Sequence, residues 1–282
     1  MIFDFRLRPP YKGFAKLSIF NPVCNDVPPH NINARRTESA HQKSFPLFME
    51  EMKEAGITQG VVMGRPGLKN WAGCVPNEDV ADLAKEYPDL FIPFGGVDVS
   101  GGIKNALAEV RRCHDMGFKG IAVEPGFCEP PLKADDAKLY PVYALAEELG
   151  LIQVITSSFM VGPDIDYSNP IHIQHVANDF PTLQIVVSHA CYPWIMQMIN
   201  LLLMCPNVWL IPDMYMHNPS APGNEVYLNG LKWLNGERFL FGSAYPCYDM
   251  RQAVQDFKRF DFDPAITKKV LWDNAHKLLK IG

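Results

Sequence analysis

The sequence predicts a single (β/α)8 TIM barrel with a long insertion after the first strand. Three observations carry that expectation. Short apolar runs recur eight times, amphipathic segments fall between them, and glycine closes several of those segments at roughly 30-residue spacing. The runs are Ile2–Leu7, Gly60–Met63, Phe91–Val97, Gly120–Val123, Leu151–Ile155, Gln184–Val187, Val208–Ile211 and Phe239–Phe241. They are rich in Val, Ile and Phe and mostly lack polar alternation, the pattern of parallel strands covered on both faces.

The intervening segments have sensible ends. Asn105–Met116 reads as a helix stopped by Gly117, and Ala137–Leu149 follows Asp135-Asp136 and stops at Gly150. Pro193–Met204 starts with proline, which suits a helix N-terminus. The exception is the first connection, where Tyr11–Arg36 is rich in Pro, Asn and Lys and too long for an ordinary βα loop. In a barrel it leaves from the face that carries active sites, so a lid or a homo-oligomer contact is open there. No composition break divides the chain, and residues 1–282 read as one domain.

Charge and cysteine usage narrow the classes of function. With 26 basic against 31 acidic residues the net charge is -5, which argues against nucleic acid or a membrane surface as the partner. Seven cysteines include no C-x-x-C pair, so neither a disulfide framework nor a zinc ribbon is indicated. No apolar run approaches the ~20 residues of a membrane span. Met1-Ile2-Phe3-Asp4-Phe5 shows neither a basic leader nor a cleavage site, so a cytoplasmic protein is expected.

In such a barrel the strand ends carry the chemistry. The first strand reads Asp4-Phe5-Arg6-Leu7-Arg8-Pro9, and period-two geometry puts Asp4, Arg6 and Arg8 on one face, Phe5 and Leu7 on the other. Two guanidiniums that burial cannot neutralise suggest a socket for a carboxylate or phosphate. The structural alternative pairs Asp4 with Arg6 and sends Arg8 to solvent. Arg65 after the second strand adds a third cation, and Glu124 after the fourth is an ion-pair partner or a general base. Thr156, Ser157 and Ser158 offer hydroxyls after the fifth. His189 ends the sixth, Asp213 and His217 follow the seventh, and Ser243 and Tyr245 follow the eighth.

These strand ends, in this order, resemble the amidohydrolase superfamily. The branch is the amidohydrolase-related one that includes aminocarboxymuconate-semialdehyde decarboxylase and pyrone-dicarboxylate lactonase. The resemblance rests on Asp4–Pro9 where that family has D-x-H-x-H, and on Phe118-Lys119-Gly120 and Val187-Ser188-His189-Ala190 with Pro193-Trp194. It rests also on Phe239-Leu240-Phe241-Gly242-Ser243-Ala244-Tyr245-Pro246 and Val270-Leu271-Trp272-Asp273-Asn274-Ala275. It implies a divalent metal held by the histidine pair, further histidines after the fifth and sixth strands, and an aspartate after the eighth. Here those positions hold Arg6 and Arg8, the Thr156–Ser158 stretch, His189 and Ala244. Arginine has no lone pair to give a metal, so no cofactor is expected at the family's site. A relocated divalent metal such as zinc on Glu124, His189, Asp213 and His217 is the alternative.

The expected activity is hydrolysis of a small carboxylated ester, lactone or amide. His189, Glu124 and Asp213 are its catalytic candidates, and Arg6, Arg8, Arg65, Ser157 and Tyr245 its substrate-binding ones. The alternatives are a carboxy-lyase of the same family and a non-catalytic barrel that binds a small acid.

Overall fold

In a computed structural model, which describes residues 1–21, 36–65 and 73–281, seven strands pair in parallel in chain order. They are β1 (Ile2–Leu7), β2 (Ile57–Met63), β3 (Phe91–Gly96), β4 (Gly120–Val123), β5 (Ile152–Ser158), β6 (Ile185–Tyr192) and β7 (Val208–Ile211). The eighth run closes the ring without forming a full ladder. Leu210 N–H donates to Arg238 C=O and Leu240 N–H to Leu210 C=O on one side, while Phe5 N–H donates to Phe241 C=O on the other. Left-handed backbone at Arg238 and Ala244 bounds the run and leaves Phe239 as its one bridge to β7.

The core has two layers. Phe3, Phe5, Val61, Met63, Phe94, Val154, Val186 and Leu240 fill the barrel. A second, larger cluster lies mainly between strands and helices, with residues such as Leu7, Val62, Ile121, Val187 and Leu210 facing the outer ring. Leu278 and Leu279 of the last helix (Asn274–Leu279) join the inner layer, and Trp272 stands edge-on to Phe3 with ring centres 6.4 Å apart. That helix therefore plugs the end where the strands begin and leaves the opposite end as the open mouth.

Helix boundaries follow local chemistry. The helix Ile103–Asp115 ends before Gly117, whose φ of 79° a side chain would resist. The helix expected from Ala137 begins instead at Tyr140, because Asp136 accepts the Lys138 N–H and folds the preceding residues into a turn. The helix expected from Pro193 spans Ile195–Met204, with Pro193 and Trp194 in the turn that leaves β6. In the long first connection, Lys12–Lys16 and Ser18–Phe20 form short 3-10 turns that bury Phe14, Leu17 and Phe20. Residues 22–35 lie outside the described residues, and with them most of the expected lid or oligomer contact.

No described helix is long and apolar enough to cross a membrane.

Candidate active site

β1 does not keep strict alternation. Its pairing with β2 shifts between Asp4 and Leu7, so Phe5 packs inside the barrel while Leu7 packs outside it. The face expected to carry Asp4, Arg6 and Arg8 together is split. Arg6 and Arg8 reach the mouth; Asp4 is fully buried and accepts the backbone N–H groups of Arg6 (2.9 Å) and Ser243 (3.1 Å). Asp4 thus stitches β1 to the eighth run, and the alternative pairing with the Arg6 guanidinium is not formed.

Arg6, Arg8, Arg65, Glu124, Thr156, Ser158, His189 and Ala244 line a cavity of about 120 Å3 at the mouth, with Ile19, Phe127, Met160, Val161, Met214, Tyr215, Tyr245 and Cys247 completing its wall. A cavity near that size holds a single ring, as an engineered pocket of about 150 Å3 that binds benzene illustrates.

A bulge aims His189 into this space. Thr156 pairs with Ser188, but the next pair is Ser158 with Tyr192, so β6 fits extra residues into the interval. His189, Ala190 and Cys191 take φ of 65°, 45° and 56° to do so. Asp213 (46°) and Ala244 (62°) are left-handed at the ends of the next two elements. Such backbone costs on the order of 1–3 kcal/mol per residue and clusters at functional sites.

The charges in the pocket are interlocked. Asp213, fully buried, places Oδ2 2.7 Å from His189 Nδ1, and Arg6 Nη2 lies 3.0 Å from His189 Nε2. A guanidinium has only donors, so Nε2 must present its lone pair and the imidazole must be neutral. Burial pushes His189 below its usual value and Arg6 adds to that, while Asp213 pulls the other way. Glu124 is also buried, which by itself would raise it. Arg65 (2.5 Å), Arg8 (3.4 Å) and Arg6 outweigh burial and hold it below the usual carboxylate range. Burial and the neighbouring Arg6 push the Arg8 guanidinium down, with Glu124 opposing. Arg6 Nη1 and Arg8 Nε are buried donors without an acceptor, a costly condition that an anion in the cavity would relieve.

Of the residues expected at the site, Arg6, Arg8, Arg65, Glu124, His189 and Tyr245 line the cavity, and Asp213 supports it through His189. Ser157 does not: its hydroxyl accepts from the Cys191 thiol at 3.3 Å, and its neighbours Thr156 and Ser158 take the wall instead, by strand parity. His217 sits apart, buried between Phe241 and Tyr248 with ring centres 5.8 and 5.3 Å away. Glu124, His189, Asp213 and His217 do not come together as metal donors; among the described residues the one such group lies elsewhere.

Sequence reasoning passed over Tyr215 and Arg36. Tyr215 stacks on Tyr192 at 4.3 Å and stands edge-on to His189 at 5.7 Å; its signal was its place two residues after Asp213. Arg36 Nη2 donates to Ile19 C=O at 2.5 Å and its charge reaches Tyr245 and Cys247 at the pocket. It left only the weak signal of a basic pair in the long connection.

Fold and mouth together define a TIM barrel with a buried cationic pocket at the C-terminal ends of its strands. A family model described as amidohydrolase matches residues 39–281, and the chain belongs to that family. A solved structure of an uncharacterized TIM-barrel protein from Bordetella bronchiseptica is 38% identical, with a TM-score of 0.92 over 99% of this chain and 98% of that one. At 18% identity come 2,6-dihydroxybenzoate decarboxylase from Rhizobium (TM-score 0.63, 83% and 87% covered) and 5-carboxyvanillate decarboxylase from Novosphingobium aromaticivorans, complexed with manganese (0.66, 96% and 88%). No curated protein matches.

The donors at this chain's mouth do not fit the family's divalent ion. Arg6 and Arg8 bring fixed positive charge where lone pairs are needed, Ala244 brings a methyl group, and the lone pair of His189 already faces Arg6.

Proposed function

We propose that the chain binds a small carboxylated substrate in the Arg6–Arg8–Arg65 pocket and hydrolyses an ester, lactone or amide bond in it without a metal. The observation that carries this reading is the neutral His189 fixed between buried Asp213 and Arg6. The unpaired Arg6 Nη1 and Arg8 Nε take an oxygen of the substrate, and that contact draws the Arg6 guanidinium off His189. Nε2, once free, accepts a proton from water as the water oxygen bonds to the acyl carbon. Arg6 and Arg8 stabilise the oxyanion that forms. The bond from the acyl carbon to the leaving oxygen or nitrogen then breaks, and His189 returns the proton to the leaving group. Asp213 holds the imidazole in the tautomer that this transfer needs. Glu124 serves as counter-charge to Arg65 and Arg8, its own basicity spent on them.

A carboxy-lyase reading is favoured by one observation, that the structural neighbours include decarboxylases of aromatic acids. In it Arg6 and Arg8 hold a carboxylate, a carbon–carbon bond breaks to release carbon dioxide, and a solvent proton reaches the carbon by way of His189.

A panel of carboxylated esters, lactones, amides and unsaturated dicarboxylates, followed for acid and for carbon dioxide release, separates the readings. Hydrolysis predicts acid release without carbon dioxide. Binding with no turnover across the panel would assign a barrel that holds a small acid. Arg6→Ala is expected to weaken binding by roughly 10- to 100-fold, the size of a lost charge-assisted hydrogen bond. A variant that binds as the parent does would overturn both catalytic readings.

A further inference from the structure

A second constellation lies at the rim, built by residues the mouth does not use. The helix Pro170–Asp179 carries His172 and His175, three residues apart and therefore neighbours on one face. Asp135, in the turn before the helix Tyr140–Glu148, points its carboxylate between them. Its Oδ1 is 2.9 Å from His172 Nδ1 and its Oδ2 is 2.6 Å from His175 Nδ1. Donors held 2.0–2.1 Å from one tetrahedral ion stand about 3.4 Å apart. The three donor atoms all lie within 4.8 Å of one another, so small rotations of the side chains admit an ion.

His172 stands between two carboxylates, its side chain is 11% exposed, and neither ring nitrogen makes an aligned hydrogen bond. Each nevertheless faces a carboxylate: Nδ1 faces Asp135, and Nε2 lies 3.7 Å from Asp166 Oδ2. A neutral imidazole has one N–H and satisfies only one of them, whereas an imidazolium, or an ion on Nδ1 with the proton on Nε2, accounts for both. With an ion on Nδ1 the proton would sit on Nε2 facing Asp166, and closing the 3.7 Å gap by a few tenths of an ångström would give the carboxylate–histidine–metal arrangement that fixes a ligand's tautomer. Asp166 is itself held near that nitrogen by Lys133 and by Asn169 Nδ2 (3.1 Å).

We propose that Asp135, His172 and His175 form a binding site for one first-row divalent cation of the zinc class, separate from the arginine pocket. Two imidazole nitrogens and one carboxylate oxygen leave a fourth position for water. The ion would tie the turn before Tyr140 to the start of the helix Pro170–Asp179 and stiffen that rim.

The test is equilibrium dialysis of the chelator-treated full chain against Zn2+ alone, with the visible spectrum of bound Co2+ as a second readout. One ion per chain and a tetrahedral cobalt spectrum are expected. His175→Ala removes a half-exposed ligand and should weaken binding by more than about 100-fold, beyond the roughly 10- to 100-fold that loss of an outer partner costs. Asp135→Asn, which keeps the side-chain shape, should do the same. His114→Ala, an exposed histidine on another helix, should leave it unchanged. Absence of stoichiometric binding, or binding that survives both His175→Ala and Asp135→Asn, would overturn the site.

Discussion

His189 stands between a carboxylate at Nδ1 and a guanidinium at Nε2, and its environment sets a definite pH response. Burial and Arg6 lower its pKa from 6.5 against the pull of Asp213. A base works only when unprotonated, so the acid limb of kcat/KM should have its midpoint below 6.5. An acid limb at or above 6.5 would contradict the assignment. Asp213→Asn removes the charge that orients the ring and balances the imidazolium formed during turnover. A loss of roughly 100-fold or more in kcat is expected, within the range of general base catalysis. The identities of His189, Asp213 and the arginines were legible in the sequence because they end apolar runs. Their mutual distances were not, since each comes from a different strand.

The element scale turns on β1 and the eighth run, which Asp4 joins through two backbone N–H groups. Burial raises Asp4 from 3.8 to about 7, although hydrogen bonds from Ser243 and Arg6 oppose it. Between those values the unfolded chain has released the proton and the folded one retains it. Asp4 therefore costs stability progressively as pH rises from about 4 to 7, by up to about 4 kcal/mol in all. Asp4→Asn keeps an oxygen for the two N–H groups and does not titrate. Its melting temperature relative to the parent should be higher at pH 8 than at pH 4.5, and a pH-independent difference would refute the account. Strand alternation misplaced Asp4 because a shifted register leaves no mark in a six-residue run. Ser157 was expected at a wall that Thr156 and Ser158 form, because the run of three hydroxyls does not by itself say which of them faces inward.

For the whole molecule, the arginines make a small positive pocket inside a chain of net charge -5. Where the family resemblance implies metal-ligating histidines and an aspartate, this chain carries Arg6, Arg8 and Ala244, and that difference predicts its own reversal. Combining Arg6→His, Arg8→His and Ala244→Asp restores lone pairs on the first strand and after the eighth run, around the surviving His189. This triple variant should bind a divalent ion at the mouth, read by elemental analysis against the His175→Ala single variant in the same weakened-rim background. Failure to gain that ion would mean that the surrounding walls, and not the three side chains alone, exclude it.

By itself the sequence determined the barrel, its strand order and the residue types at its mouth. Apolar runs and their terminators are local, and a parallel strand has few other ways to bury both faces. The amidohydrolase pattern and its departures at Arg6, Arg8 and Ala244 were visible for the same reason. Only the tertiary structure decided which of those residues meet. The bulge that turns His189 onto Arg6, the ion pairs that occupy Glu124, and the approach of Asp135 to His172 and His175 all join segments far apart in the chain. Such contacts depend on register and backbone handedness, which composition and periodicity do not record.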